Sequence, residues 1–217
     1  MCYYHFMKLL LTSAGIRNQD LANALAELIG KPAVETKVGL IPTAENVEAG
    51  SKDFLLSQYD SLRSYGYNWI DIIDPSAEGT DWKARLEAVD IIFVSGGNTF
   101  HLLNEVRKTG LGDWLRRNIH DKVYVGVSAG SIITTPNISV ASIDDGDENL
   151  IGLTDLTGLG LVDFEVSPHT PDWVSYEANE EYAQNIPNKL YLIDDETGIK
   201  VVDSSVVVVG MGKHRVI

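Results

Sequence analysis

Basic residues are scarce in this chain: 17 lysines and arginines face 31 aspartates and glutamates, leaving a formal charge of −14 over 217 residues. That balance excludes a nucleic-acid surface and argues against binding to anionic lipid. Cysteine is nearly absent. The single Cys2 cannot close an internal disulfide, which fits a reducing cytoplasm as the expected location. No apolar run is long enough to span a bilayer, and the apolar residues of the first strand have no positively charged leader before them. Repeats, low-complexity linkers and proline-rich segments are missing too, so residues 1–217 are expected to form one domain, with 1–6 an extra leader ahead of Met7. Metal signatures are lacking: there is no H-E-x-x-H and no Cys/His cluster, and the acidic stretch 144–148 does not have EF-hand spacing. No metal and no cofactor are expected.

What the chain does have is an alternation of apolar β-type runs with helical periodicity, the pattern of an α/β fold, a three-layer sandwich on a mostly parallel sheet. Strands are predicted at 7–12, 37–41, 69–73, 90–95, 161–166 and 190–193. A helix capped near Asn18 presents Leu21, Leu25, Leu28 and Ile29 on one face, and a second from about Val47 to Tyr65 does the same with Phe54, Leu55 and Leu62. Further helical turns are expected at 82–88, 100–108 and 113–119. The closing runs 198–203 and 204–210 read as a hairpin of edge strands, which a second copy of the chain could cover, allowing a homodimer.

The stretch Gly126-Val127-Ser128-Ala129-Gly130 follows the apolar run Val123-Tyr124-Val125 and reads as a strand turning sharply into a helix with serine at its tip. Alone the pattern is weak, since G-x-S-x-G arises by chance in roughly 7% of chains this long. A second glycine turn, Gly96-Gly97-Asn98-Thr99, closes the strand at 90–95 and opens the next helix. It lacks P-loop spacing, and no lysine follows to meet a phosphate. Beside Ser128 on an adjoining strand end, its Gly97 amide would instead join the Ala129 amide in an oxyanion hole. Asn98 is positioned to cap that helix and is assigned to substrate binding.

A serine nucleophile needs a base. His5 and His214 lie near the termini, His120 closes a helix, and His101 could line the cleft. His169 follows a strand through Ser167-Pro168, so it stands at a strand end with proline stiffening its approach. For the third member the residues leave two clusters open, Asp194-Asp195-Glu196 after the strand at 190–193, and Asp144, Asp145 and Asp147 in the acidic loop.

Taken together, Gly96-Gly97-Asn98-Thr99-Phe100, Gly126-Val127-Ser128-Ala129-Gly130 and Ser167-Pro168-His169-Thr170 resemble the serine peptidase family of peptidase E (aspartyl dipeptidase) and cyanophycinase, in order and spacing over nearly the whole chain from Met7. The resemblance implies a sandwich similar to class I glutamine amidotransferases, a serine nucleophile, and hydrolysis of peptide bonds in small or acidic substrates. It implies an acid in the late strand-to-strand turn, which puts Asp195 where relatives commonly carry glutamate and leaves Glu196 as the competing partner. Some members also carry a functional aspartate between serine and histidine, which keeps Asp144, Asp145 and Asp147 open, as partners of His169 or of a substrate α-ammonium.

The expectation is therefore a triad of Ser128, His169 and Asp195 acting on a small peptide. Preference for acidic residues follows only from the resemblance, and residues 171–185, acidic and without Arg or Lys, speak against a strict form of it. An esterase-like serine hydrolase, with its acid in the 144–147 loop, and a flavodoxin-like binding protein in which Ser128 caps a helix are the competing classes.

Overall fold

The structure, a computed structural model, describes residues 7–217. Cys2, His5 and the expected leader 1–6 lie outside the described residues. In chain order the elements are β1 (Lys8–Thr12), α1 (Gln19–Ile29), β2 (Lys37–Ile41), α2 (Asp53–Ser64), β3 (Trp69–Ile72), α3 (Trp82–Glu87), β4 (Ile91–Val94), α4 (Thr99–Thr109) and α5 (Leu111–Asn118). They continue with β5 (Val123–Val127), α6 (Ala129–Ile132), β6 (Glu165–Ser167), α7 (Tyr176–Ala183), β7 (Leu190–Ile193), β8 (Thr197–Val202), β9 (Ser205–Gly210) and β10 (His214–Val216).

Seven strands pair in the order β3-β2-β4-β5-β1-β8-β9. The first five run parallel. β8 is antiparallel to β1, and β9 to β8. Because side chains alternate along a strand, each parallel strand feeds two cores. Leu10, Val38, Leu40, Phe93 and Val125 pack with Leu21, Leu25 and Leu28 of α1 and Leu62 of α2. Leu9, Leu11, Ile92, Val94 and Tyr124 face the other way, toward Leu102 and Leu103 of α4, Leu115 of α5 and Ile132 of α6. All of these are buried, and at about 1.5–3 kcal/mol for each fully buried large apolar side chain the two cores dominate the stability of the fold. Helices on both faces of a mostly parallel sheet give the expected three layers.

Local chemistry sets the boundaries. Asn18 caps α1 by accepting the Leu21 N–H at 3.0 Å, and Gly30 closes that helix in the left-handed conformation at φ 69°. α2 begins at Asp53 rather than near Val47. The residues before it form a 3₁₀ turn at Thr43–Val47 and then pass through Gly50 at φ 96°, a conformation that cannot continue a helix. α5 is shifted to Leu111–Asn118, and His120 lies in the 3₁₀ turn Ile119–Asp121 that follows.

Two strand expectations change. The strand predicted at 161–166 is confined to Glu165–Ser167, because the Leu161 and Val162 amides donate to the Thr134 carbonyl instead of a strand neighbour. β6 then joins β7 and β10 in a separate three-stranded sheet, ordered β10-β7-β6. The closing hairpin exists, but β8 is interior, held between β1 and β9, so only β9 is an edge. No described helix is long and apolar enough to cross a membrane.

Candidate active site

The register of the main sheet brings three strand ends together: Thr12 at the end of β1 pairs with Val127 at the end of β5 and with Gly198 at the start of β8. Ser13, Ser128 and the β7–β8 turn therefore share one edge of the sheet. The smaller sheet supplies the rest, since His169 follows β6 and Asp195 follows β7.

Ser128 occupies the turn between β5 and α6 at φ 49°, ψ −112°, a left-handed conformation that is strained for a residue with a side chain. The sequence permits the turn because both flanking glycines are packed against backbone. A Cβ on Gly126 would lie 2.7 Å from the Gly130 carbonyl oxygen, and one on Gly130 would lie 2.3 Å from that of Val94. The Ser128 N–H donates to the Thr12 carbonyl at 2.9 Å. The hydroxyl does not cap α6, and its Oγ is 3.0 Å from His169 Nε2.

His169 is 5% exposed and also has positive φ, 59°. Its Nδ1 lies 2.6 Å from Asp195 Oδ1. A proton on Nδ1 shared with Asp195 leaves the Nε2 lone pair to accept the Ser128 hydroxyl, which assigns the tautomer on chemical grounds. Burial pushes Asp195 up. The hydrogen bond and charge of His169, the Ser13 hydroxyl and the charge of Arg17 outweigh it and hold the carboxyl below its ordinary range.

Four of the competing carboxylates have other partners. Glu196 accepts from Asn18 Nδ2 at 2.9 Å, and Asp194 accepts from the Thr197 hydroxyl at 2.7 Å. Asp144 accepts the Ser175 N–H at 2.7 Å, which holds it below the usual carboxylate range. Asp147 accepts the Thr99 N–H at the start of α4, also at 2.7 Å; burial nevertheless raises it, with the Thr99 hydrogen bonds opposing. Only Asp195 reaches the imidazole.

The glycine turn after β4 packs closely beside the serine. A Cβ on Gly96 would sit 3.1 Å from Ser128 Cβ. Gly97 has φ 124°, and a Cβ there would lie 2.5 Å from the carbonyl carbon and oxygen of Ala44. Among the described residues, neither the Gly97 nor the Ala129 N–H has an intrachain acceptor. Asn98 does not project into the cleft. Its Oδ1 accepts the His101 N–H at 2.9 Å, and its Nδ2 donates to the Glu148 carbonyl at 2.9 Å, so it ties α4 to the acidic loop. His101 is not part of the cleft lining either.

A cavity of about 280 Å³ opens at Ser128 and His169. Its apolar wall includes Ile132, Val140, Val174 and Trp173; Asp144, Asp145 and Asp147 also line it, and no lysine or arginine does. Two neighbours of the imidazole escaped the sequence reading. Ser13 is fully buried, accepts the His169 backbone N–H at 2.7 Å and donates to Asp195 Oδ1 at 2.9 Å. Its one sequence signal is a polar residue directly after the apolar strand β1. Trp173 stacks on the imidazole at 4.2 Å, a contact that spacing in the sequence does not reveal.

Residues 9–209 match the model of peptidase family S51. An uncharacterized peptidase of Pasteurella multocida (strain Pm70) is 35% identical over 187 residues, 82% of this chain and 86% of that protein. Peptidase E of Shewanella amazonensis is 34% identical over 142 residues, 65% of this chain but only 57% of the relative. Among solved structures, a Listeria monocytogenes EGD-e protein provisionally named a peptidase E superposes with a TM-score of 0.81 at 27% identity, covering 95% of this chain and 100% of its own. A peptidase from an acI-B1 Actinobacterium, at 19% identity and a TM-score of 0.73 over 98% of this chain and 91% of its own, shares the fold. With the family model spanning nearly the whole chain, this protein belongs to peptidase family S51.

Proposed function

We propose that the chain is a serine-type peptidase of short peptides, with Ser128 as nucleophile, His169 as general base and acid, and Asp195 as the residue that orients and stabilises the imidazolium. The observation that carries this reading is the continuous hydrogen-bonded chain from Ser128 Oγ to His169 Nε2, at 3.0 Å, and from His169 Nδ1 to Asp195, at 2.6 Å. In the first step Oγ bonds to the scissile carbonyl carbon while its proton passes to Nε2. The Gly97 and Ala129 amides hold the oxyanion. His169 then protonates the leaving amine, and the C–N bond breaks to leave an acyl-enzyme. Water, deprotonated by His169, attacks the ester and returns the serine.

The cavity volume lies near the lower end of ligand sites, which run from about 300 to 1,000 Å³, and so favours a short substrate. Its carboxylates argue against an acidic side chain and for one whose free amino-terminal ammonium faces Asp147. The lone cysteine supports a reducing compartment, the cytoplasm, as its place of action.

The test is a fluorophosphonate probe with the adduct located by peptide mass. The expected adduct is on Ser128, and it collapses in His169→Ala. An unlabelled parent protein, under conditions that modify a control serine hydrolase, would overturn the reading and favour a binding protein.

A further inference from the structure

The indole of Trp173 is 67% exposed, yet it lies against the His169 ring with centroids 4.2 Å apart and planes 21° from parallel. Exposure of so large an apolar surface brings no burial energy, so core packing does not explain the residue. Its place is held by the backbone, because the Trp173 N–H donates to the His169 carbonyl at 2.9 Å and closes the turn 169–173 on itself. The same indole lines the cavity at Ser128. The imidazole thus has an aromatic face on one side, and Phe54 stands edge-on at 6.5 Å and 62°.

We propose that Trp173 is a positioning residue that fixes the plane of His169 and stabilises its protonated form during acyl transfer. An indole face attracts a cation through its ring quadrupole, and the attraction strengthens where solvent is partly excluded. His169 is uncharged before Ser128 attacks and cationic while the tetrahedral intermediate exists, so the contact is stronger in the transition state than in the ground state, the condition for raising kcat. The other groups facing the imidazole are Asp195 from the β7–β8 turn, with Arg17 behind it, Asp147 from the acidic loop, and the neutral Ser13 and Ser128 hydroxyls. Asp195 bonds the ring edge at Nδ1, whereas Trp173 covers its face, so the two contacts are distinct.

This proposal rests on His169 as the base of the proposed peptidase, but its primary test needs no substrate. An imidazole stacked on an indole quenches its emission. The parent protein is expected to emit less than His169→Gln, and the difference is expected to vanish when the same pair is compared on a Trp173→Phe background, although Trp69, Trp82 and Trp114 remain. Trp173→Leu, at an exposed position that leaves both cores intact, is expected to lower kcat by roughly 2- to 30-fold with little change in KM. A parent whose emission equals that of His169→Gln overturns the proposal, and so does Trp173→Leu with kcat within twofold of the parent. A chain that shows the quenching but takes no fluorophosphonate label would keep the stacking and lose the peptidase reading.

Discussion

Ser13 and His169, 156 residues apart, are joined through a single hydroxyl: Ser13 Oγ accepts the His169 backbone N–H at 2.7 Å while donating to Asp195 Oδ1 at 2.9 Å. One buried oxygen at the end of β1 therefore holds both the histidine, whose backbone is in a left-handed conformation, and the carboxylate that orients it. Because β1 lies between β5 and β8, the same strand end also fixes the distance to Ser128.

Ser13→Ala removes a hydrogen bond to a charged group and leaves the His169 N–H without its acceptor. Such bonds contribute about 1.5–3 kcal/mol, so kcat is expected to fall roughly 10- to 100-fold while KM changes little. The downfield proton resonance of the His169–Asp195 bond gives an independent check, because it should shift or broaden in Ser13→Ala although far-UV circular dichroism is unchanged.

Among the six carboxylates that the sequence leaves open, only Asp195 should control the chemistry. Asp195→Asn is expected to lower kcat on the order of 10³- to 10⁴-fold by imposing the wrong tautomer on His169. Glu196→Gln and Asp144→Asn should stay within a few-fold of the parent, since their carboxylates bond Asn18 and the Ser175 amide. Initial rates on one neutral dipeptide across the three variants would decide this, and a larger loss in Glu196→Gln than in Asp195→Asn would contradict it.

The two glycines of the β4–α4 turn should respond differently to a methyl group. Gly97→Ala forces a Cβ against the Ala44 backbone at a φ of 124°, so the turn must move and with it the proposed oxyanion donor, an expected loss of roughly 3–4 kcal/mol of transition-state stabilisation. Gly96→Ala meets Phe54 Cε1 at 2.8 Å, the far end of a side chain that can rotate away. Melting temperatures and kcat/KM are both expected to fall more for Gly97→Ala.

Asp147 gives a stability prediction with a definite sign. Burial raises its folded-state value above the unfolded one, so the folded state holds this proton more tightly, and ionisation weakens folding as pH rises through the folded value. Asp147→Asn removes that effect. Relative to the parent, its melting temperature should be unchanged at a pH well below the ordinary carboxylate range and higher at pH 7. A lower melting temperature at pH 7 would mean that the carboxylate's bond to the Thr99 N–H outweighs its desolvation.

The sequence by itself determined the layered architecture and the elements that carry Ser128 and His169. Alternation along β1, β4 and β5 feeds two cores whatever else the chain does, and the flanking glycines of Ser128 mark a turn that side chains would block. Periodicity and turn chemistry are local, and local signals are legible in one dimension. The tertiary structure decided everything that depends on which strand ends meet. Asp194, Asp195 and Glu196 are equivalent as sequence, and only the passage of the chain from the smaller sheet at β7 into the main sheet at β8 turns Asp195 toward His169 and the other two away. Ser13 and Trp173 were invisible for the same reason, since a hydroxyl becomes a clamp, and an indole a stacking partner, only when distant segments are packed within hydrogen-bond or van der Waals reach.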